Sequence, residues 1–160
     1  MRKTVNCQPG FSLVEIILYI ALVSIFILVL TDIFSAILNT KTESEATSAV
    51  EQDSRFILAR LNYDIYRANS ITNPASPGQT SIGTLTIASP SLTYSLSNDN
   101  LTLNGTNINS SETIISNLSF KKMGNLGGRE TITVTFTITS KTQRPSGPET
   151  KTFTTTIGKR

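Results

Sequence analysis

One carboxylate stands where it needs a reason. Glu15 lies in "GFSLVEIILYIALVSIFILVL", and it is the only charge between Phe11 and Leu30. Carrying such a group into a bilayer costs about 2.5–3.5 kcal/mol, so an acid in an apolar run of this kind marks a function. A glycine, Gly10, stands immediately before the run. Elsewhere the means for chemistry are few. The chain has no His and no Trp, and its single cysteine, Cys7, precedes the apolar run. That leaves nothing for an intramolecular disulfide, a cysteine-based metal centre, a thiol nucleophile or an imidazole base. Asp99 in "SNDN" offers one carboxylate without the spacing of a calcium loop, so a plain turn is expected. Asn100, Asn104, Asn109 and Asn117 each open an N-x-S/T sequon, read here as the by-product of a surface rich in Ser, Thr and Asn. Lys121 and Lys122 fall at an apparent strand end, where edge protection is expected. No triad, phosphate loop or carboxylate pair is visible. The expectation is a non-enzyme, with no cofactor and no metal.

The bulk properties bound what must carry these residues. The chain has 160 residues, enough for one domain and an appendage. The net charge of +3 is unevenly divided. Residues 11–70 carry four bases against seven acids, and residues 71–160 carry eight bases against four acids. A modest positive balance over so long a segment reads first as a solvated surface, and only second as a nucleic-acid interface.

From Phe11 to Leu30 the other polar atoms belong to Ser12, Tyr19 and Ser24. Twenty helical residues span about 30 Å, the hydrocarbon thickness of a bilayer. A backbone in lipid must satisfy its own hydrogen bonds, so the segment is expected to be a transmembrane helix. The run is too long for the core of a cleaved secretory signal, and "TDIFSAILNT" after it has no A-x-A-like site. The helical pattern continues instead. Ile33, Phe34, Ile37 and Leu38 keep a stripe, and Ala46, Val50, Ile57, Leu61, Ile65 and Ala68 form another at spacings of three, four and seven. No Pro or Gly interrupts residues 11–70. A helix over all of them would be about 90 Å long.

"ITNPASPGQTSIG" breaks that helix with Pro74, Pro77 and Gly78. Beyond it the pattern alternates at period two: "GTLTIAS", then "SLTYSLS" with Leu92, Tyr94 and Leu96 on one face, then a turn at "SNDN", then "LTLNG" with Leu101 and Leu103. "ETIISNLSFKK" and a turn at "GNLGG" follow. "ETITVTFTITS" is the cleanest strand, with Ile132, Val134, Phe136 and Ile138 facing in and threonines facing out. "KTFTTTIG" closes the chain with Phe153 and Ile157. The expected fold is α+β: one long N-terminal α-helix whose first half protrudes and whose second half covers an antiparallel β-sheet.

A short basic leader ending in Gly10, then "FSLVE", then a spanning helix resembles the processing signature of type IV pilins and pseudopilins. The resemblance implies a pilin-like fold divided into a cytoplasmic leader at 1–10, held inside by Arg2 and Lys3, a transmembrane and assembly helix at 11–31, its amphipathic continuation at 32–71, and an extracytoplasmic β-domain at 72–160. It implies that a prepilin peptidase cuts between Gly10 and Phe11 and that the new amine of Phe11 is methylated. It further implies that Glu15 pairs with that amine on a neighbouring subunit during assembly. Major subunits of the family commonly carry a proline near the position of Asp32, and this chain has none. "SAVEQDSRFILARLNYDIYRANSI" is similar to the helix that follows the membrane span in J-type minor pseudopilins and related minor pilins. The implied role is a minor filament subunit that initiates or caps assembly in a type IV pilus, a type II secretion filament or a DNA-uptake system. The implied partners are other pilin or pseudopilin subunits and an inner-membrane assembly platform. The implied location is the cytoplasmic membrane, single-pass with the N-terminus inside, and then a periplasmic or cell-surface filament. The alternatives are a membrane-anchored adhesin-like β-domain on an uncleaved anchor, and a DNA-binding β-domain such as a receptor at a competence pilus tip.

Overall fold

The computed structural model describes residues 10–124 and 128–160. The leader residues Arg2, Lys3 and Cys7, and the centre of the "GNLGG" turn, lie outside the described residues. The chain divides into two compact units, Met1–Thr40 and Lys41–Arg160. The helix α1 (Leu13–Tyr66) begins in the first. Among the described residues, the second unit contains the remainder of α1 and nine strands.

Those strands are β1 (Ser70–Asn73), β2 (Thr80–Ile82), β3 (Thr84–Ser89), β4 (Leu92–Ser97), β5 (Asn100–Leu103), β6 (Thr106–Asn107), β7 (Thr113–Met123), β8 (Thr131–Ser140) and β9 (Thr150–Gly158). All their pairings are antiparallel. The class is therefore α+β, as expected, but the expected single sheet is two. One has the order β1-β3-β4-β5-β6 and the other β2-β7-β8-β9. Two strands, β1 and β2, also form inside the segment read as a break, and α1 stops at Tyr66.

Gly83 is where the chain changes sheets. Its N–H donates to the Leu118 carbonyl of β7 at 2.8 Å, and its own carbonyl accepts from Leu96 N–H of β4 at 2.9 Å. The residue has φ +72°, a left-handed conformation open to glycine at little cost. One residue thus serves both ladders and turns the chain between them. The "SNDN" turn behaves as expected: Asn98 (φ 48°) and Asp99 (φ 60°) close a two-residue hairpin with Ser97 opposite Asn100.

The core lies between the two sheets and the part of α1 after Lys41. Ala46, Val50, Ile57, Leu61, Ile65 and Ala68 are all buried, so the amphipathic stripe packs as the spacing requires. All but Ala46 join one cluster with Leu85, Ile87, Tyr94 and Leu101 from one sheet and Ile115, Phe120 and the inward face of β8 from the other. Ile132, Val134, Phe136 and Ile138 have no exposed surface. On the opposite face the threonine hydroxyls of β8 and β9 pair in four rungs, from Thr133–Thr156 to Thr139–Thr150, at 2.9–3.2 Å.

Candidate membrane and assembly segment

Gly10, Phe11 and Ser12 precede the helix and are exposed. No neighbouring atom lies within 4 Å of where a Cβ on Gly10 would be, so packing does not demand glycine there. The bond between Gly10 and Phe11 therefore lies in open, non-helical backbone, the form in which a protease takes its substrate. The Ile16 N–H donates to the Ser12 carbonyl at 3.2 Å. Ser12 is thus the N-cap and Glu15 the third helical residue. "SLVE" is a capping-box pattern, a local signal in the sequence that the apolar run overshadows. Phe11, Glu15 and Tyr19 recur at intervals of four, so they share a face, and with Ile16 they line a concavity of about 320 Å³.

From Phe11 to Leu38 the large apolar side chains other than Val23 are exposed, at 46–80% of their surface. Among the described residues, one helix is long and apolar enough to cross a membrane, and its most apolar stretch is wholly unburied. The hydroxyls of Ser24, Thr31 and Ser35 need no water. Ser24 Oγ donates to Ile20 O at 2.8 Å, Thr31 Oγ1 to Ile27 O at 2.9 Å, and Ser35 Oγ to Thr31 O at 2.9 Å. Each bonds one turn back along its own helix, which is how such groups are satisfied in lipid. Ile27, Leu30, Thr31, Ile33, Phe34 and Ile37 line a second, apolar concavity.

In the second unit the polar groups that matter structurally are ones a hydrophobic reading passes over. Asp53 and Asp64 sit inside the buried stripe of α1, at 7% and 4% exposure. Asp53 Oδ2 accepts from Ser110 N–H (3.0 Å), Ser110 Oγ (2.8 Å) and Thr113 Oγ1 (2.5 Å), and so ties the helix to the loop before β7. Asp64 Oδ2 accepts from Arg60 Nε at 2.8 Å and from the Tyr94 hydroxyl at 2.5 Å. Burial first, and the adjacent Asp64 carboxylate second, push the Tyr94 phenol well above its usual range, so it stays a donor. Tyr94→Phe keeps the packing and loses a bond to a charged acceptor. It is expected to lower stability by about 1.5–3 kcal/mol, read from the urea midpoint.

Lys122 corrects an expectation. It is not an exposed strand-end charge, and β7 is not an edge, because β2 and β8 flank it. Lys122 is 3% exposed, and its Nζ donates to the carbonyls of Ile71 (3.2 Å) and Ala75 (3.1 Å). It also pairs with Glu130 at 2.6 Å, while Lys159 reaches the other Glu130 oxygen at 3.1 Å. Lys121, its exposed neighbour, is opposite Thr80 of β2. Burial alone would raise the Glu130 carboxyl, but the bonds from Lys122 and Lys159 outweigh it and hold the group below its usual value of 4.5. A depressed carboxyl contributes its full stability above that value and loses it as pH falls through the folded pKa. Wild-type stability is therefore expected to fall below about pH 4.5. Glu130→Gln should flatten that fall, as measured by urea unfolding at a series of pH values.

Arg144, with a buried side chain, joins Glu43 of α1 at 2.5 Å to Glu149 at 3.0 Å. Lys151 of β9 reaches Glu51 at 3.1 Å and holds that carboxyl below its usual value, chiefly through the hydrogen bond. Of the four sequon asparagines, Asn109 is buried and structural. Its Oδ1 accepts from Leu101 N–H, and its Nδ2 donates to Asn100, Ser110 and Thr113. Asn104 Oδ1 accepts from Thr93 N–H. Among the described residues, no group of three His, Cys, Asp or Glu could hold a metal ion. The features that carry an assignment are Gly10, Phe11, Glu15 and the apolar helix behind them. In comparison with known proteins, no family model, curated protein or solved structure matches this chain.

Proposed function

We propose that this chain is a minor subunit, a minor pilin or pseudopilin, of a type IV pilus-like or type II secretion filament, and that its role is structural rather than catalytic. A prepilin peptidase would cut the Gly10–Phe11 bond and the Phe11 amine would be methylated. The single-pass helix would then wait in the cytoplasmic membrane, with the β-domain outside, for an inner-membrane assembly platform and partner subunits. The observation that supports this reading is an order of features along one segment. An exposed, non-helical Gly10–Phe11 comes first, then a helix start at Leu13, then Glu15 in the first turn, then exposed apolar surface to Leu38. A spanning anchor alone accounts for the last of these and leaves the first three without a purpose.

The test is the N-terminus of the full chain made in cells that contain a prepilin peptidase. The expected product begins at Phe11 and carries one added methyl group on its amine. Gly10→Val is expected to accumulate uncut. A wild-type product that keeps residues 1–10 would overturn the proposal in favour of an adhesin-like or DNA-binding domain on a permanent anchor.

A further inference from the structure

The two sheets have four edges, and three of them are blunted. β1 has four residues and two register irregularities, β6 has two residues, and β2 has three. Short or irregular edges are how natural sheets avoid pairing with other chains. β9 is different. It has nine residues in unbroken register with β8, from Thr131 opposite Gly158 to Thr139 opposite Thr150. It has no proline, and its only charge is Lys151.

The backbone of β9 points its free groups outward at known positions. Lys159 N–H donates to Glu130 O at 2.9 Å, and Ser140 N–H donates to Glu149 O at 2.8 Å, both in the same register as the ladder. Odd-numbered residues therefore turn their N–H and C=O toward β8, and even-numbered ones turn them away. The close threonine hydroxyl pairs at 150, 152, 154 and 156 have the same parity, as expected of non-hydrogen-bonded positions.

We propose that β9 is a pairing edge for a second copy of this chain, joined antiparallel about a two-fold axis at Thr154. In that register Thr154 meets Thr154, Thr152 meets Thr156 and Thr150 meets Gly158. Every outward-pointing residue then meets another outward-pointing residue. The same register sets Glu149 opposite Lys159 at both ends and Lys151 opposite Ile157, so opposite charges meet and like charges do not. The new ion pairs would link the Arg144–Glu149 pair of one copy to the Lys159–Glu130 pair of the other. Moving the axis to Thr152 or Thr156 shortens the overlap and separates Glu149 from Lys159. A two-fold arrangement uses one patch twice and closes on itself. This inference does not rest on the filament reading.

The test uses the full chain in detergent micelles, with Cys7→Ser and a single nitroxide label at Thr150, Thr152, Thr154 or Thr156. Spin–spin distances between copies should be shortest at Thr154. They should be equal at Thr152 and Thr156, with backbone separations of about 14 Å, and reach about 27 Å at Thr150. Thr154→Pro removes an outward N–H and no bond to β8, so it should weaken association about tenfold or more while the unfolding midpoint holds. If that variant fails to fold, Thr152→Lys with Thr156→Lys sets like charges opposite each other and should weaken pairing as much; Thr152→Lys with Thr156→Glu should restore it. A distance profile without a minimum at Thr154 overturns the proposal. That profile would follow if copies met only through the apolar helix or if β9 received a strand from another protein. Short Thr154 distances that survive both disruptive variants overturn it as well.

Discussion

Glu15→Ala is expected to be cut and methylated like the wild type, yet to be excluded from filaments. The local uses of this carboxylate are too small to hold it in lipid. Favouring the helix dipole is worth about 0.3–1 kcal/mol. A capping-box bond from Glu15 to the Ser12 N–H would add about 1 kcal/mol more. Against these stands a cost of about 2.5–3.5 kcal/mol for carrying the charge into the bilayer. The remainder calls for a cation, and the proposed one is the Phe11 amine that cleavage creates on a neighbouring subunit. Two opposite charges in a medium of low dielectric attract strongly, and each is costly there alone. Glu15→Gln separates the two roles, because it keeps the capping shape and loses the charge. Co-purification of tagged variants with partner subunits would measure incorporation. Normal incorporation of Glu15→Ala would sink the pairing, and rescue by Glu15→Gln would reduce it to helix capping.

Lys122→Met is expected to destabilise the second unit by about 3–5 kcal/mol, the scale on which one partner of a buried ion pair is missed. Methionine replaces the aliphatic stem but not the three donors. The Ile71 and Ala75 carbonyls and one oxygen of Glu130 would each lose their bond. Ile71 belongs to β1 in one sheet and Lys122 to β7 in the other, so the lost contacts join the two layers. The urea midpoint of the full chain in detergent reports the change. In a double-mutant cycle, adding Glu130→Gln should cost much less than it does alone, because its main partner is already gone. A Lys122→Met cost under about 1 kcal/mol would show the cluster to be effectively solvated.

The helix and the β8 strand were legible because their patterns are carried by many residues at once. Five apolar positions of α1 agree on one face, and four of β8 agree on another, so no single residue decides the matter. The division into two sheets was not legible. It depends on the φ of Gly83 and on β2 pairing with β7 at a separation of about forty residues, and neither leaves a periodic trace. Asp53 and Asp64 fall at spacings that fit the buried stripe, but an apolar count omits acids by construction. Lys122 was misread because a lysine at a strand end normally faces water. Its burial depends on carbonyls supplied by Ile71 and Ala75, about fifty residues earlier. At the N-terminus, the order of Gly10, Phe11 and Glu15 was plain in the sequence. The spacing of Ser12 and Glu15, a capping-box pattern at the helix start, was equally local.

The hydroxyls of Ser24, Thr31 and Ser35 bear on how easily such a helix could change surroundings. Each is closed onto a carbonyl of its own helix, so these three groups bring their hydrogen bonds with them wherever the segment goes. Moving from lipid into a packed bundle of helices would then break none of these bonds and form none. The transfer becomes an exchange of one apolar neighbour for another, nearly level in free energy along most of its length. Direction would come from the few charged positions, Glu15 foremost, where lipid and protein surroundings differ most. In the proposed filament such a span would act as a neutral carrier that one acid steers.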